Sequence, residues 1–137
     1  MYYFTHDQLL PKNTVLQIDD DTGTLSLVQA GECVIQQQFT EPEFLLLNLF
    51  FRESGVHCTY EEALAECINE PLVVCQERLH AARLKDEQEE SLTREAFSVE
   101  IQPVRTVLHE CRERLRTFGL DIAALLHYGY VLFQYNK

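Results

Sequence analysis

The 137-residue chain is 46% hydrophobic and 24% charged, enough apolar material for one ordinary core and too much for a disordered chain. Its 22 acidic against 11 basic side chains give a net charge of −11, which excludes a general nucleic-acid coat and a polybasic membrane-surface binder, since both need concentrated Lys and Arg. No apolar run approaches the roughly 20 residues of a spanning helix, and the longest, 44–51, is interrupted by Asn48.

The first forty residues read as three short antiparallel strands. Val15-Leu16-Gln17-Ile18 runs into Asp19-Asp20-Asp21-Thr22-Gly23, which is turn chemistry. Thr24-Leu25-Ser26-Leu27-Val28 alternates with period two, Ala30-Gly31-Glu32 breaks it, and Cys33-Val34-Ile35 begins the third strand. The N-terminus has no basic stretch followed by an apolar core, so no signal peptide is expected.

Helical periodicity then takes over. Thr40-Glu41-Pro42-Glu43 is a start signal, with a capping hydroxyl, Pro in the first turn and acids at the positive end of the dipole. The run 44–51 that follows is apolar almost all round, which predicts either a central helix or one half used by a partner, with Phe50 and Phe51 as its partner-facing candidates. A second helix starts at Thr59-Tyr60-Glu61-Glu62, a capping box, and carries Tyr60, Ala63, Leu64, Cys67 and Ile68 on one face. Pro71 opens a third, through Leu72, Cys75, Leu79 and Ala82, ending near Lys85. The run 85–91 reads as a solvated charged loop, and Phe97-Ser98-Val99-Glu100-Ile101 alternates briefly.

The last helix, over 103–117, places Val104, Val107, Leu108, Cys111, Leu115 and Phe118 on one face, with Gly119 as its stop. At about 100° per residue, Arg105, His109, Arg112 and Arg116 align in a stripe about 120° from the apolar centre. Beyond it, 120–125 and 131–133 flank His127-Tyr128-Gly129-Tyr130 as a terminal hairpin. The fold class is therefore α+β, one domain over 1–137: a small sheet at 1–39, a helical core at 40–118 with an inserted helix and acidic loop at 69–101, and a hairpin at 119–137.

Charge is uneven. Residues 1–102 carry a balance of −13 and residues 103–137 one of +2, which points to a local contact surface. The five cysteines, at an odd count and wide spacing, read as reduced thiols filling core space. His57, Cys58, Cys67, Cys75, His80, His109 and Cys111 lack the two-residue spacing of a zinc knuckle, so no metal and no cofactor is expected. Glycines are scattered as turn residues and cradle no phosphate, no oxyanion loop accompanies a nucleophile, and only Glu66 among the carboxylates sits where apolar neighbours could raise its pKa. Catalysis and a small-molecule substrate are not expected.

The order of elements resembles the OmpR/PhoB-type winged helix-turn-helix domain, its ToxR/CadC-like branch above all. Phe39-Thr40-Glu41-Pro42-Glu43-Phe44-Leu45-Leu46-Leu47 looks like the family's Leu-Thr-Pro-x-Glu-Phe-x-Leu-Leu opening of the first helix. Arg112-Glu113-Arg114-Leu115 looks like the Arg-x-Lys-Leu end of its recognition helix, and the stretch 122–132, with Gly129-Tyr130, like its wing. The resemblance covers about three-quarters of the chain. It implies a bacterial, cytoplasmic transcriptional regulator, or a membrane-anchored one if the natural chain continues past Lys137. Such a protein would act as a dimer on double-stranded DNA with the 103–117 helix in the major groove. Arg105, Thr106, His109, Arg112 and Arg116 would then meet DNA from the helix, and His127 and Tyr128 from the wing.

The connection 69–101 is longer than the family's, and its acids Asp86, Glu87, Glu89 and Glu90 imply a protein contact, with RNA polymerase or another regulatory protein as partner. Where the family usually carries an Arg near the wing tip, this chain has Leu126. Two readings follow: a DNA-binding regulator, or an acidic winged-helix interaction module that has lost DNA binding. The first expects Arg105, Arg112 and Arg116 to project unpaired. Their pairing with Glu61, Glu62 or the acids of 86–90 would favour the second.

Overall fold

The structure, a computed structural model, describes residues 1–52, 56–88 and 95–136. It is α+β. Four antiparallel strands come first: β1 (Tyr2–Phe4), β2 (Thr14–Asp19), β3 (Thr24–Gln29) and β4 (Glu32–Gln38), paired in chain order. Helix α1 (Glu41–Arg52), strand β5 (His57–Thr59) and helices α2 (Tyr60–Ile68), α3 (Leu72–Gln88), α4 (Ala96–Glu100) and α5 (Gln102–Arg116) follow. Strands β6 (Leu120–Leu125) and β7 (Gly129–Gln134) close the chain, in a second antiparallel sheet ordered β5-β7-β6.

The period-two pattern of the N-terminal half decides which side of the first sheet is dry. In β2, Thr14, Leu16 and Ile18 are buried, and Leu16 and Ile18 stand opposite Leu27 and Leu25 of β3. Strand β1 is an addition to the three strands expected. Three residues carry too little alternation to read, and pairing with β2 fixes it instead, while the Phe4 ring lies 5.1 Å from that of Phe51.

One apolar core runs from this sheet through α1, α2 and α5 to β6 and β7. Phe50 and Phe51 belong to it and are buried, so they are not a partner surface. A helix apolar all round is central here, because its flanks are covered by the sheet side at Phe4 and by α2, α5 and β5.

Local signals act as the sequence predicts at α2. The Thr59 hydroxyl accepts from the Glu62 N–H at 3.1 Å, and the Glu62 carboxylate accepts from the Thr59 N–H at 2.9 Å, both halves of a capping box. Asn69, at φ 55°, ends the helix in the left-handed region.

The inserted connection departs from expectation in two ways. Helix α3 continues past Lys85 to Gln88, and the alternating 97–101 stretch lies across α4 rather than in a strand. Asp86 supplies the reason: its two carboxylate oxygens accept the N–H groups of Ala96 and Phe97 at 2.8 and 3.0 Å, capping the first turn of α4. Arg78 donates to Glu100 at the other end, and Arg83 lies over the Phe97 ring while pairing with Glu61. Asp86 is thus a half-buried structural acid, whereas Glu87 is exposed; Glu89 and Glu90 lie outside the described residues.

Candidate nucleic-acid interface

Helix α5 buries Val104, Val107, Leu108, Cys111 and Leu115, the face its periodicity predicts. Pro103 stands in its first turn, and Gly119, at φ +76°, lets the chain reverse directly into β6. The hairpin β6–β7 therefore folds back beside the helix that precedes it.

Gly129 locks the hairpin against β5. A Cβ there would lie 2.0 Å from the Cys58 carbonyl oxygen and 2.7 Å from the Thr59 Cα, so no other residue fits. The turn is tied down as well: Tyr60 donates its N–H to the Tyr128 carbonyl and its hydroxyl to the Leu125 carbonyl.

Between α5 and the hairpin lies an open groove of about 500 Å³. Arg105, Thr106, His109 and Arg112 form its helical wall together with the acid Glu110, and Ile122 and Ala124 form the strand wall. Arg116 stands outside the groove, one turn further along. His127, at φ 65°, and Tyr128 sit at the exposed hairpin turn and do not line it. The Tyr128 hydroxyl lies 2.7 Å from His57 Nδ1, fixing that ring to β5. Leu126 at the tip is 84% exposed.

The arginines are not unpaired, and their partner is not one of the acids named above. Among the described residues, Arg112 and Arg116 both donate to Asp121, the second residue of β6, which is 5% exposed. Arg112 Nε reaches Oδ1 at 3.1 Å and its Nη2 donates to the Ile122 carbonyl at 3.2 Å. Arg116 reaches Oδ2 through Nε at 2.9 Å and Nη2 at 2.8 Å, with its guanidinium 4.4 Å over the Tyr135 ring. Both side chains keep more than a third of their surface, 38% and 39%. Arg105 donates to the Ser98 hydroxyl at 2.5 Å.

The fourth arginine of the helix points the other way. Arg114 pairs with Glu43 of α1, which is 1% exposed, and donates to the Gln38 carbonyl at 2.7 Å. Burial raises the Glu43 pKa, but the Arg114 guanidinium and the Thr40 N–H outweigh it and leave the carboxyl below its ordinary value. Among the described residues Glu43 and Asp121 are the buried carboxylates, not Glu66, which is half-buried. A signal for Asp121 was present: it is the lone charge in Leu120-Asp121-Ile122-Ala123-Ala124-Leu125.

Of the cysteines, Cys58, Cys75 and Cys111 fill core positions, Cys67 is half-buried and Cys33 is exposed. Burial pushes the thiols of Cys58, Cys67 and Cys111 up to about 12. Among the described residues no helix is long and apolar enough to cross a membrane, and no three His, Cys, Asp or Glu side chains converge as metal ligands. Compared with protein-family models, with curated proteins and with solved structures, the chain matches none.

Proposed function

We propose that the protein is a winged helix-turn-helix regulator that binds double-stranded DNA, with α5 in the major groove and the β6–β7 hairpin as the wing. One observation carries the reading: in a chain of net charge −11, Arg105, His109 and Arg112 gather on a single groove wall, beside a hairpin locked to the helix. Arg105, Thr106 and His109 on the exposed first half of α5 contact bases, and a homodimer doubles the contacts over two half-sites. The exposed end of α3 with Glu87 faces a regulatory partner such as RNA polymerase.

A second reading, a protein-binding module on the same fold, is favoured by Leu126, an exposed aliphatic side chain at the hairpin tip, and by the pairing of Arg112 and Arg116 with Asp121, since the DNA reading expects them unpaired.

Fluorescence anisotropy with a mixed-sequence duplex at two salt concentrations separates them. Arg105→Ala/His109→Ala is the informative variant, because both side chains are exposed and neither removal strands a buried carboxylate. Micromolar binding that falls with a log–log salt slope of about −2 to −3, and weakens in the variant, supports DNA contact through α5. Absence of binding up to about 100 µM at low salt refutes it and leaves the module reading.

A further inference from the structure

We infer that Asp121 is a positioning residue that sets Arg112 and Arg116 as a phosphate clamp rather than as base readers; this rests on the DNA-binding reading above. Three features of the geometry lead there. A guanidinium carries five N–H donors, and a carboxylate on its Nε edge fixes where the remaining ones point. Here Nε and Nη2 of Arg116 are both spent on Asp121, and the same two nitrogens of Arg112 are spent on Asp121 and the Ile122 carbonyl. What stays available is the Nη1 edge of each group, which suits a phosphate oxygen; because that edge could also meet a base, it is the place of both arginines at the hairpin end of α5 that assigns them to the backbone.

The second feature is how the anchor is held. Asp121 is 5% exposed, accepts the Ile122 N–H at 2.7 Å, and sits on β6, which pairs along its length with β7, the strand that Gly129 and Tyr130 hold to β5 and α2. Arg116 is pinned from a second direction by the Tyr135 ring. Both guanidinium groups are therefore ordered before any ligand arrives, which removes part of the side-chain entropy that a phosphate contact costs.

The third is the division of labour along α5. Arg105, Thr106 and His109 on its first half are exposed and bound to no buried carboxylate, whereas Arg112 and Arg116 on its second half are tied to the hairpin. The junction of helix and hairpin grips the backbone, and the first half of the helix is left to meet the base edges.

The test turns on a sign. If Asp121 were only an acid near DNA, Asp121→Asn would remove a negative charge and tighten binding. If it positions the arginines, the same change loosens the pair and weakens binding about tenfold. Wild type and Asp121→Asn would be titrated against a mixed-sequence duplex and against one enriched by rounds of selection from a random pool. The expected result is a loss of equal factor on both duplexes, with the salt slope smaller in magnitude by about one. Equal or tighter binding by Asp121→Asn overturns the proposal, and so does a loss confined to the selected duplex, which would make the arginines base readers.

Should Asp121→Asn fail to give a cooperative melt, Arg112→Lys and Arg116→Lys replace it. They keep charge and the ion pair but lose the planar fork, and each is expected to weaken both duplexes by the same factor; unchanged affinity overturns the proposal. Failure of the DNA reading itself is separately visible, because then the wild-type protein binds neither duplex and the clamp falls with it.

Discussion

Arg114→Ala tests how the buried end of α5 is held. The substitution leaves Glu43, 1% exposed, without its cation and held by Thr40, whose N–H lies at 2.8 Å, and it uncovers the Gln38 carbonyl and the Phe39 ring face. Removing one member of a buried ion pair costs about 3–5 kcal/mol. Arg114 keeps 31% of its side-chain surface, so solvent screens part of the pair and about 2–3 kcal/mol is the reasonable figure. For a chain of this size that lowers Tm by about 6–10 °C.

The pH dependence gives a stricter check. In the wild type the Glu43 pKa lies below its ordinary value of 4.5, so its contribution is fully present above that value and is lost as pH falls through the folded one. In Arg114→Ala burial opposes only the Thr40 contacts, the folded pKa rises, and the stability that its depression supplied is lost. The gap in stability between the two proteins must therefore widen as pH rises to 7 and close towards pH 3. Urea melts across that range measure it. A gap under about 0.5 kcal/mol at pH 7, or one that does not narrow in acid, refutes the reasoning.

Gly129→Ala places a Cβ 2.0 Å from the Cys58 carbonyl oxygen, which forces β5 and β7 apart and is expected to cost about 2–4 kcal/mol in a thermal or urea melt. Among the five cysteines, Cys33 alone should react at once with a thiol reagent in the native protein near pH 7.5. Cys58, Cys67 and Cys111, with thiols pushed up to about 12, should wait for unfolding, as should buried Cys75. A second fast thiol by mass spectrometry would contradict this placement. Leu126→Arg adds a cation at the hairpin tip, where 84% exposure means stability should change by less than about 0.5 kcal/mol. Under the DNA reading it should tighten duplex binding and steepen the salt slope by about one, and a flat response in anisotropy counts against the hairpin as a wing.

The parts of this fold that can be read from the sequence are those fixed within a turn or two of the chain. The Thr59 capping box, the buried faces of α2 and α5 and the Gly119 stop are all local, and all stand where their residue patterns put them. What escapes is set from a distance. Strand β5 exists because it pairs with β7, more than sixty positions on, and α4 exists because Asp86 caps it across the connection, although Phe97, Val99 and Ile101 spell an alternating strand. The stripe Arg105, His109, Arg112 and Arg116 was legible as a stripe but not as a set of pairs, because the carboxylate that binds two of its members lies beyond the helix end. Phe50 and Phe51 mislead for the same reason: apolarity all round a helix shows that it is covered and leaves open by what.

The three arginines near the end of α5 then acquire a common logic. Arg112 and Arg116 lie on one side of the helix and Arg114 on the other, and each side meets a buried carboxylate, Asp121 of β6 or Glu43 of α1. The helix is thereby fixed in rotation between the N-terminal half of the chain and the hairpin, by groups that cannot both be satisfied if it turns. The same pairing uses up positive charge. Arg114 is neutralised by Glu43, and Arg112 with Arg116 retains a net single charge beside Asp121. The DNA contact proposed here therefore rests on few cations held in place, not on a strong field. That is how a protein of net charge −11 can meet a phosphate backbone at short range while repelling it at long range, and it is why a salt slope of only about −2 to −3 per copy is the expected one.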